Sequence, residues 1–417
     1  MKILLVNHYI GNTHYGMDFR PYYLAREWVK MGHQVTMIGA TYSHLRRIQP
    51  QVEKDLDSEY VDGIKYLWIK TPAYEKGSMK RILNIVTFVG KLLKYAKQIS
   101  RQEAPDWVIA SSCYPLDIYP SHKIARLSYA RLCFEVHDIW PLTPMLLGGY
   151  SKYHPFIFTM QKAEDYMCKH ADIIVSLLWN AETHYRQQGF KGNFYCVPNG
   201  YSREEWLDEA FTKKLPKEHE QVITQLKRNG KLIVGFAGGF ALSGAADVLV
   251  KAAIYLKNNS KIHIMLVGKG PEKDVYLQII MQNQLANISI LPEVSKSLIP
   301  SLVSTFDIGY LGGRHSILHK FGTSYNKMTD YMLCSIPIVQ AVDEPGSVVE
   351  REKCGVRIEA ENPSNLADAI LKIAMMSKEE RAQMGKRGKD YVFSNLEWAV
   401  LAEKFLNDLQ DGEKYIK

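Results

Sequence analysis

Two stretches of this 417-residue chain carry residue types whose spacing suits them to chemistry. The first is Gly322-Thr323-Ser324-Tyr325-Asn326-Lys327-Met328-Thr329-Asp330-Tyr331. A small-residue loop that opens a helix offers unpaired backbone N–H groups at the positive end of the helix dipole, which suits phosphate. Such a terminus is worth about 0.3 to 1 kcal/mol to a surface anion and up to about 2 kcal/mol when partly buried, so Lys327 beside it would help hold a diphosphate. Asp330, one turn later on the same face, would accept hydrogen bonds from a ribose. The plain alternative is an ordinary helix with Ser324 as its N-cap and an exposed Lys/Asp pair. The second stretch is Cys133-Phe134-Glu135-Val136-His137-Asp138, where an apolar run ends in two polar residues. A strand feeding into His137-Asp138 sets both at its C-terminal end, where open α/β sheets keep their ligands. A structural His–Asp pair is the bland reading; the position favours a site.

The surrounding pattern supplies elements to position these residues. Short apolar runs alternate with helical periodicity along the whole chain, as in parallel strands joined by crossover helices. Strands are expected at 2–7, 34–38, 107–110, 131–136, 173–176 and 193–197, with a helix over about 19–31 closed by Gly32. A polar stretch from Ser202 to Gly230 follows, and the grammar restarts with strands at 231–237, 262–267, 288–291, 307–311 and 338–341. The expected fold class is α/β, two doubly wound parallel sheets that face each other across a ligand cleft. The domains are residues 1–200 and 201–394, with a C-terminal helix from 395. Neither half carries GxGxxG or a Walker A lysine, which disfavours a dinucleotide cofactor and a P-loop. Gly11 and Gly16 loosen the loop after the first strand, and Val197-Pro198-Asn199-Gly200 alone is turn chemistry.

Composition narrows the class. With 46% hydrophobic and 23% charged residues the chain is globular, and an aromatic content of 11% excludes disorder as its main state. Six scattered cysteines form no CxxC pair and no metal spacing, as expected of reduced thiols in a metal-free protein. The N-terminal apolar run is too short for a signal peptide and no stretch is long enough to span a membrane, which predicts a cytoplasmic protein. The net charge of +8 divides unevenly: residues 1–200 hold 24 Lys+Arg against 17 Asp+Glu, residues 201–417 hold 28 against 27. A one-sided excess points to an anionic surface or substrate and away from nucleic acid. Lys76 to Arg101 contains seven basic residues and no acid. On a helix, Ile82, Ile85, Val86, Val89, Leu92, Leu93, Ala96 and Ile99 share one face, and Lys80, Lys91, Lys94, Lys97 and Arg101 share the other. A basic amphipathic helix suits a membrane surface; the same pattern also suits packing on the sheet with the lysines in water.

The sequence resembles glycosyltransferase family 4, of GT-B fold, and within it the bacterial O-antigen and capsule transferases of N-acetylfucosamine type. The likeness rests on His8-Tyr9 through Gly16 to Glu27, on Glu135-Val136-His137-Asp138 and Val197-Pro198-Asn199-Gly200, and on Ala237-Gly238-Gly239, Val267-Gly268-Lys269-Gly270-Pro271 and Ser324 to Tyr331, in family order across about 330 residues. It implies a metal-independent retaining transferase with no cofactor, taking a sugar, a HexNAc or deoxy-HexNAc, from a UDP-sugar. By the same resemblance Ser324, Tyr325, Asn326 and Lys327 lie near the diphosphate, Asp330 at the ribose, and Gly238, Gly239, Gly268 and Gly270 along the donor. Gly16 would let the first loop approach the phosphates, His137 would hydrogen-bond the transferred sugar with Asp138 as a second catalytic residue, and His14 and Arg20 would meet the acceptor. The implied partners are the UDP-sugar, a lipid-linked diphosphate-saccharide and the anionic inner face of the plasma membrane, in surface polysaccharide synthesis. The chain departs from the family at Gly322, where a glutamate is common, and at Phe240 to Gly244, where a basic residue is common; Arg314 or Lys320 would then help Lys327. A nucleotide-sugar epimerase of the same fold and a non-catalytic binding module stay open as alternatives.

Overall fold

The computed structural model describes residues 1–75 and 80–414, with side chains through Asp411. The chain forms two compact units, residues 1–199 with 398–417 and residues 200–397.

The first unit is built on an eight-stranded sheet of order β3-β4-β2-β1-β5-β6-β7-β8. Its strands are β1 (Lys2–Val6), β2 (Gln34–Ala40), β3 (Asp57–Val61), β4 (Ile64–Ile69), β5 (Trp107–Ala110), β6 (Arg131–Val136), β7 (Ile173–Ser176) and β8 (Asn193–Cys196). All neighbours run parallel except β3 against β4. Apolar periodicity does not reveal that hairpin. Its signal is Asp62-Gly63, whose φ values of 52° and 78° are both positive, the tight two-residue turn that Asp-Gly favours. The strand order reverses between β1 and β5, so the loops after them, carrying His8-Tyr9 and Ser111-Ser112, open at the switch point where such sheets bind ligands.

The C-terminal helix, Trp398–Lys414, belongs to this unit. Leu401, Ala402, Phe405 and Leu409 recur at helical spacing and are buried with Trp28 and the sheet. Phe405 meets Trp28 edge-on at 5.2 Å, Trp28 Nε1 donates to the Ala402 carbonyl at 3.0 Å, and Lys404 donates to the Cys196 carbonyl. Each fully buried Leu or Phe side chain here contributes about 1.5–3 kcal/mol. The helix starts at Trp398 rather than 395: residues 378–395 complete an earlier helix, and Glu397 pairs with Arg203 at 3.0 Å and bridges Tyr201 in the second unit.

The second unit has a six-stranded, all-parallel sheet of order β11-β10-β9-β12-β13-β14. Its strands are β9 (Leu232–Ala237), β10 (Ile262–Val267), β11 (Ile288–Leu291), β12 (Ile308–Gly312), β13 (Ile338–Ala341) and β14 (Gly355–Ile358). Both faces are covered, one by a cluster around Leu249, Leu256 and Ile370, the other around Phe306, Met332 and Val392. β14 lies at the edge and is only half-buried, which is why no strong apolar run marks it. The reversal between β9 and β12 puts Gly238-Gly239 at the switch point.

Candidate functional site

The second unit gathers one set of candidate groups at the start of the helix Asn326–Leu333. The N-cap is Tyr325, whose side chain makes no capping bond, so Ser324 is not the N-cap of the plain alternative. The preceding loop is fixed from below: the backbone N–H of Thr323 donates to Glu344 at 2.9 Å and its hydroxyl at 2.6 Å, with Glu344 buried. Tyr325 reaches His319 Nε2 at 3.3 Å, and Asn326 is exposed. Lys327 lies across Gly238, where a β-carbon would collide with its Cε, and its Nζ sits 5.2 Å over the Phe236 ring. Gly238, with φ +151°, is therefore glycine for space as well as for conformation. The loop after β10 packs on the same turn: Gly238 N–H donates to Val267 and Phe240 N–H to Lys269, leaving Gly268 and Gly270 alongside and Gly239 open to solvent.

Lys327 and Asp330 are the chemically telling pair. Burial holds the Lys327 ammonium below its ordinary pKa, with Asp330 pulling the other way. Burial raises the Asp330 carboxyl to about 7, although Lys296 and Lys327 draw it down. Among the described residues neither side chain makes an ion pair or a hydrogen bond. Charged groups in crowded surroundings normally find partners within the fold; these two stand one turn apart in the helix without them. Arg314, expected to assist, is held instead by Asp247 at 2.5 Å and Glu361 at 3.0 Å. Lys320 lies over Phe321, and Gly322 closes the short helical turn 317–321.

In the first unit, His137 leaves β6 with its Nε2 tied down, 3.3 Å from Glu135 Oε2 and 3.1 Å from Ser111 Oγ. Ser111 in turn donates to the same Glu135 oxygen at 2.5 Å. Burial pushes the Glu135 carboxyl up, yet Arg20, His137 and Ser111 together outweigh it and hold it down at about 2. For His137 burial opposes the charged ring, and the hydrogen bond and charge of Glu135 more than offset it, so its pKa is raised. With Nε2 directed at a carboxylate, Nδ1 is the nitrogen left to meet a ligand hydroxyl. Asp138 sits exposed on the rim of a narrow pocket lined also by Cys113, Trp140 and Tyr185. Crowding there raises its carboxyl, an effect that its open surface lets water reduce.

Several expected residues lie elsewhere. Arg20 is not available to an acceptor: it is buried, bridges Glu135 at 2.9 Å and donates to the Val197 and Pro198 carbonyls at 2.8 Å. The turn Val197-Pro198-Asn199 thus gains a job, fixing the arginine that fixes Glu135. Gly16 is buried, its N–H donating to the Asn12 carbonyl at 2.8 Å and its carbonyl accepting from Asn12, so it shapes its own loop and offers nothing to a phosphate. His14 is exposed beside Tyr15. On the helix Lys80–Glu103, Lys80, Lys94, Lys97 and Arg101 are exposed, but Lys91 bridges Asp55 at 3.0 Å. Ile85, Leu92, Ala96 and Ile99 are buried as the apolar face requires, whereas Ile82 and Val86 are exposed on its flank with Leu83. Lys76 lies outside the described residues. Glu135, Ser111, Glu344 and Phe236 join the sites without being marked as site residues by their local sequence. Of these Glu135 alone carries a signal, a charge inside an apolar strand.

Residues 16–205 match the family model Glycosyltransferase Family 4, and residues 231–375 match Glycosyl transferases group 1. No curated protein sequence matches the chain. Solved structures are similar over nearly the full length. HepE of Anabaena in complex with UDP and glucose has TM-score 0.65 and 14% identity, covering 98% of this chain and 99% of that one. Sucrose-phosphate synthase of Thermosynechococcus elongatus has TM-score 0.69 and 13% identity over 99% of both chains. A glycosyltransferase of Rickettsia africae has TM-score 0.68 and 15% identity, again over 99% of both. The fold is GT-B.

Proposed function

We propose that this chain, a glycosyltransferase of GT-B type, takes a sugar from a UDP-sugar and transfers it with retention, without a metal, to a lipid-linked diphosphate-saccharide in surface polysaccharide synthesis. The observation that carries the donor half is the Lys327–Asp330 arrangement: an ammonium and a carboxyl, both unpaired among the described residues, flanking uncapped helix amides. A nucleoside diphosphate completes all three, phosphate on the amides and Lys327, ribose hydroxyls on Asp330. That HepE is solved with UDP supports the choice of diphosphate.

In this reading the protein supplies position and charge. Lys327 and the helix end stabilise the negative charge that grows on the departing diphosphate, an effect worth most where water is excluded. His137, oriented by Glu135, hydrogen-bonds the transferred sugar through Nδ1, and the leaving phosphate takes the acceptor's proton as the new bond forms on the same face. Among the described residues no group of metal-ligating side chains is present and no helix can cross a membrane. A peripheral place on an anionic inner leaflet is supported by the exposed Lys80, Lys94, Lys97 and Arg101 beside exposed Ile82, Leu83 and Val86.

The test is a thermal-shift series over nucleotide diphosphates and UDP-sugars, followed by product analysis with lipid-linked acceptors. Stabilisation by UDP and a HexNAc donor, with UDP released only when acceptor is present, is expected. Indifference to every nucleotide would sink the donor assignment, and UDP release without acceptor would favour an epimerase. Exchanging Lys80, Lys94, Lys97 and Arg101 for Gln should abolish sedimentation with anionic liposomes; unchanged sedimentation removes the membrane reading.

A further inference from the structure

The C-terminal edge of the first sheet holds a second cluster that the donor chemistry does not use. Tyr9 follows β1, His44 follows β2, Tyr74 follows β4, and Arg81 opens the helix Lys80–Glu103. Arg81 is partly buried, with its guanidinium 5.8 Å from the Tyr9 ring centre and one N–H reaching the Tyr9 hydroxyl at 3.3 Å. Its other guanidinium N–H groups have no protein acceptor, and no carboxylate pairs with it, among the described residues. The adjoining segment 76–79 contains no acid in its sequence, and Glu75 is exposed without bridging to it. His44 Nδ1 is bonded to the Tyr74 hydroxyl at 2.7 Å, and the His44 ring stands edge-on to Tyr9 at 6.0 Å.

Three facts make this arrangement odd for a structural arginine. A guanidinium presents five N–H donors in a fork, and one long bond to a neutral hydroxyl satisfies little of it. Elsewhere in the same unit the buried Arg20 is matched by Glu135 and two carbonyls, and Arg46, although its Nε is left unbonded, by the Ile10 and Ala40 carbonyls and the Trp68 ring. Finally, Lys80 and Arg81 stand at the positive end of a 24-residue helix whose first turn has no acid, which adds repulsion to the desolvation of Arg81. A bound anion would remove both costs. The charge of Arg81 reaches Cys113, which lines the pocket beside His137, so an anion here would sit on the side of the sheet that handles the sugar.

We infer that Arg81, framed by Tyr9 and the His44–Tyr74 pair, is a subsite for a phosphate group on the acceptor. This deepens the proposed transferase reading and rests on it. The shared chemistry is a phosphate monoester or diphosphate, whose source is either a lipid carrier or a free sugar phosphate.

The experiment uses the full chain with its donor site saturated by UDP, so that phosphate probes cannot occupy it. Calorimetric titrations compare farnesyl diphosphate with farnesol, and glucose 6-phosphate with glucose. One phosphorylated probe should bind at least tenfold more tightly than its uncharged partner. Arg81→Gln should erase that difference, Arg81→Lys should keep part of it, and Tyr9→Phe, which removes only the hydroxyl that steers Arg81, should lose a few-fold. Preference for farnesyl diphosphate identifies a lipid carrier as the source, and preference for glucose 6-phosphate a soluble sugar phosphate. No preference in either pair, or a full preference surviving in Arg81→Gln, overturns the subsite. UDP affinity, measured first, separates the two readings: Arg81→Gln should bind UDP as the wild type does, whereas a wild type that ignores UDP refutes the donor site and not this one.

Discussion

The two units treat their charged site residues in opposite ways. In the first, His137, Glu135, Ser111 and Arg20 close a network in which the groups hold one another, so the ring arrives oriented before any ligand does. In the second, Lys327 and Asp330 are crowded by protein and, among the described residues, bonded to none of it. A group that must hold a fixed direction is best anchored from behind, and one that must grip a charged ligand is best left without a competitor. The first arrangement favours stability of the protein; the second costs stability.

Removing a member of each set should expose the difference. The largest effect on stability is expected from Arg20→Met, which leaves Glu135 charged and buried without its partner, at a cost of about 3–5 kcal/mol; denaturant unfolding measures it. Lys327→Met should do the reverse, leaving the unfolding midpoint unchanged or higher while turnover falls about 10²- to 10³-fold through lost charge stabilisation. If Lys327→Met instead unfolds the protein, the contrast fails.

The pH dependence sharpens the same point. The Asp330 carboxyl, raised to about 7 in the empty protein, keeps its proton where the unfolded chain has lost it. Its stability penalty is therefore absent below about pH 4, grows as pH rises, and is complete above about 7. A ribose needs the ionised carboxylate as acceptor, so UDP affinity should rise as pH passes from about 6 to 8, a dependence that Asp330→Asn should flatten in calorimetric titrations. His137 has the other sign: its raised pKa makes the bond to Glu135 fully stabilising below about 6.5, and that contribution is lost as pH climbs through the folded value. The smallest effect is expected from Gly238→Ala, which displaces Lys327 and strains a positive φ. UDP should bind about tenfold more weakly, with Lys327→Met in the same background adding little further loss.

Much of the architecture is legible in the order of the amino acids alone. Strands such as Leu232–Ala237 are uninterrupted apolar runs because both faces of a parallel sheet are covered. The Asp62-Gly63 hairpin is equally readable by its turn residues, but its first strand, Asp57–Val61, is too polar to draw attention as strand. Site residues divide in the same manner. His137 follows the end of β6, Lys327 lies in the first turn of the helix Asn326–Leu333 and Asp330 one turn later, the positions that periodicity locates. Arg20, Lys91 and Arg314 do not serve as expected, since each is taken by a carboxylate: Glu135, Asp55 and Asp247 lie 115, 36 and 67 positions away.

By itself, then, the sequence determined the two α/β units, the strand end that carries His137 and the helix start that carries Lys327, because hydrophobic period and turn chemistry are local properties of a chain. Only the tertiary structure decided which charges are matched and which are left unmatched. Pairing depends on which distant side chains the folded sheets bring within about 3 Å, and no local pattern encodes that. The unmatched Arg81 and the matched Arg20 look alike in the sequence; burial and partners make one a candidate for an acceptor's phosphate and the other part of the frame.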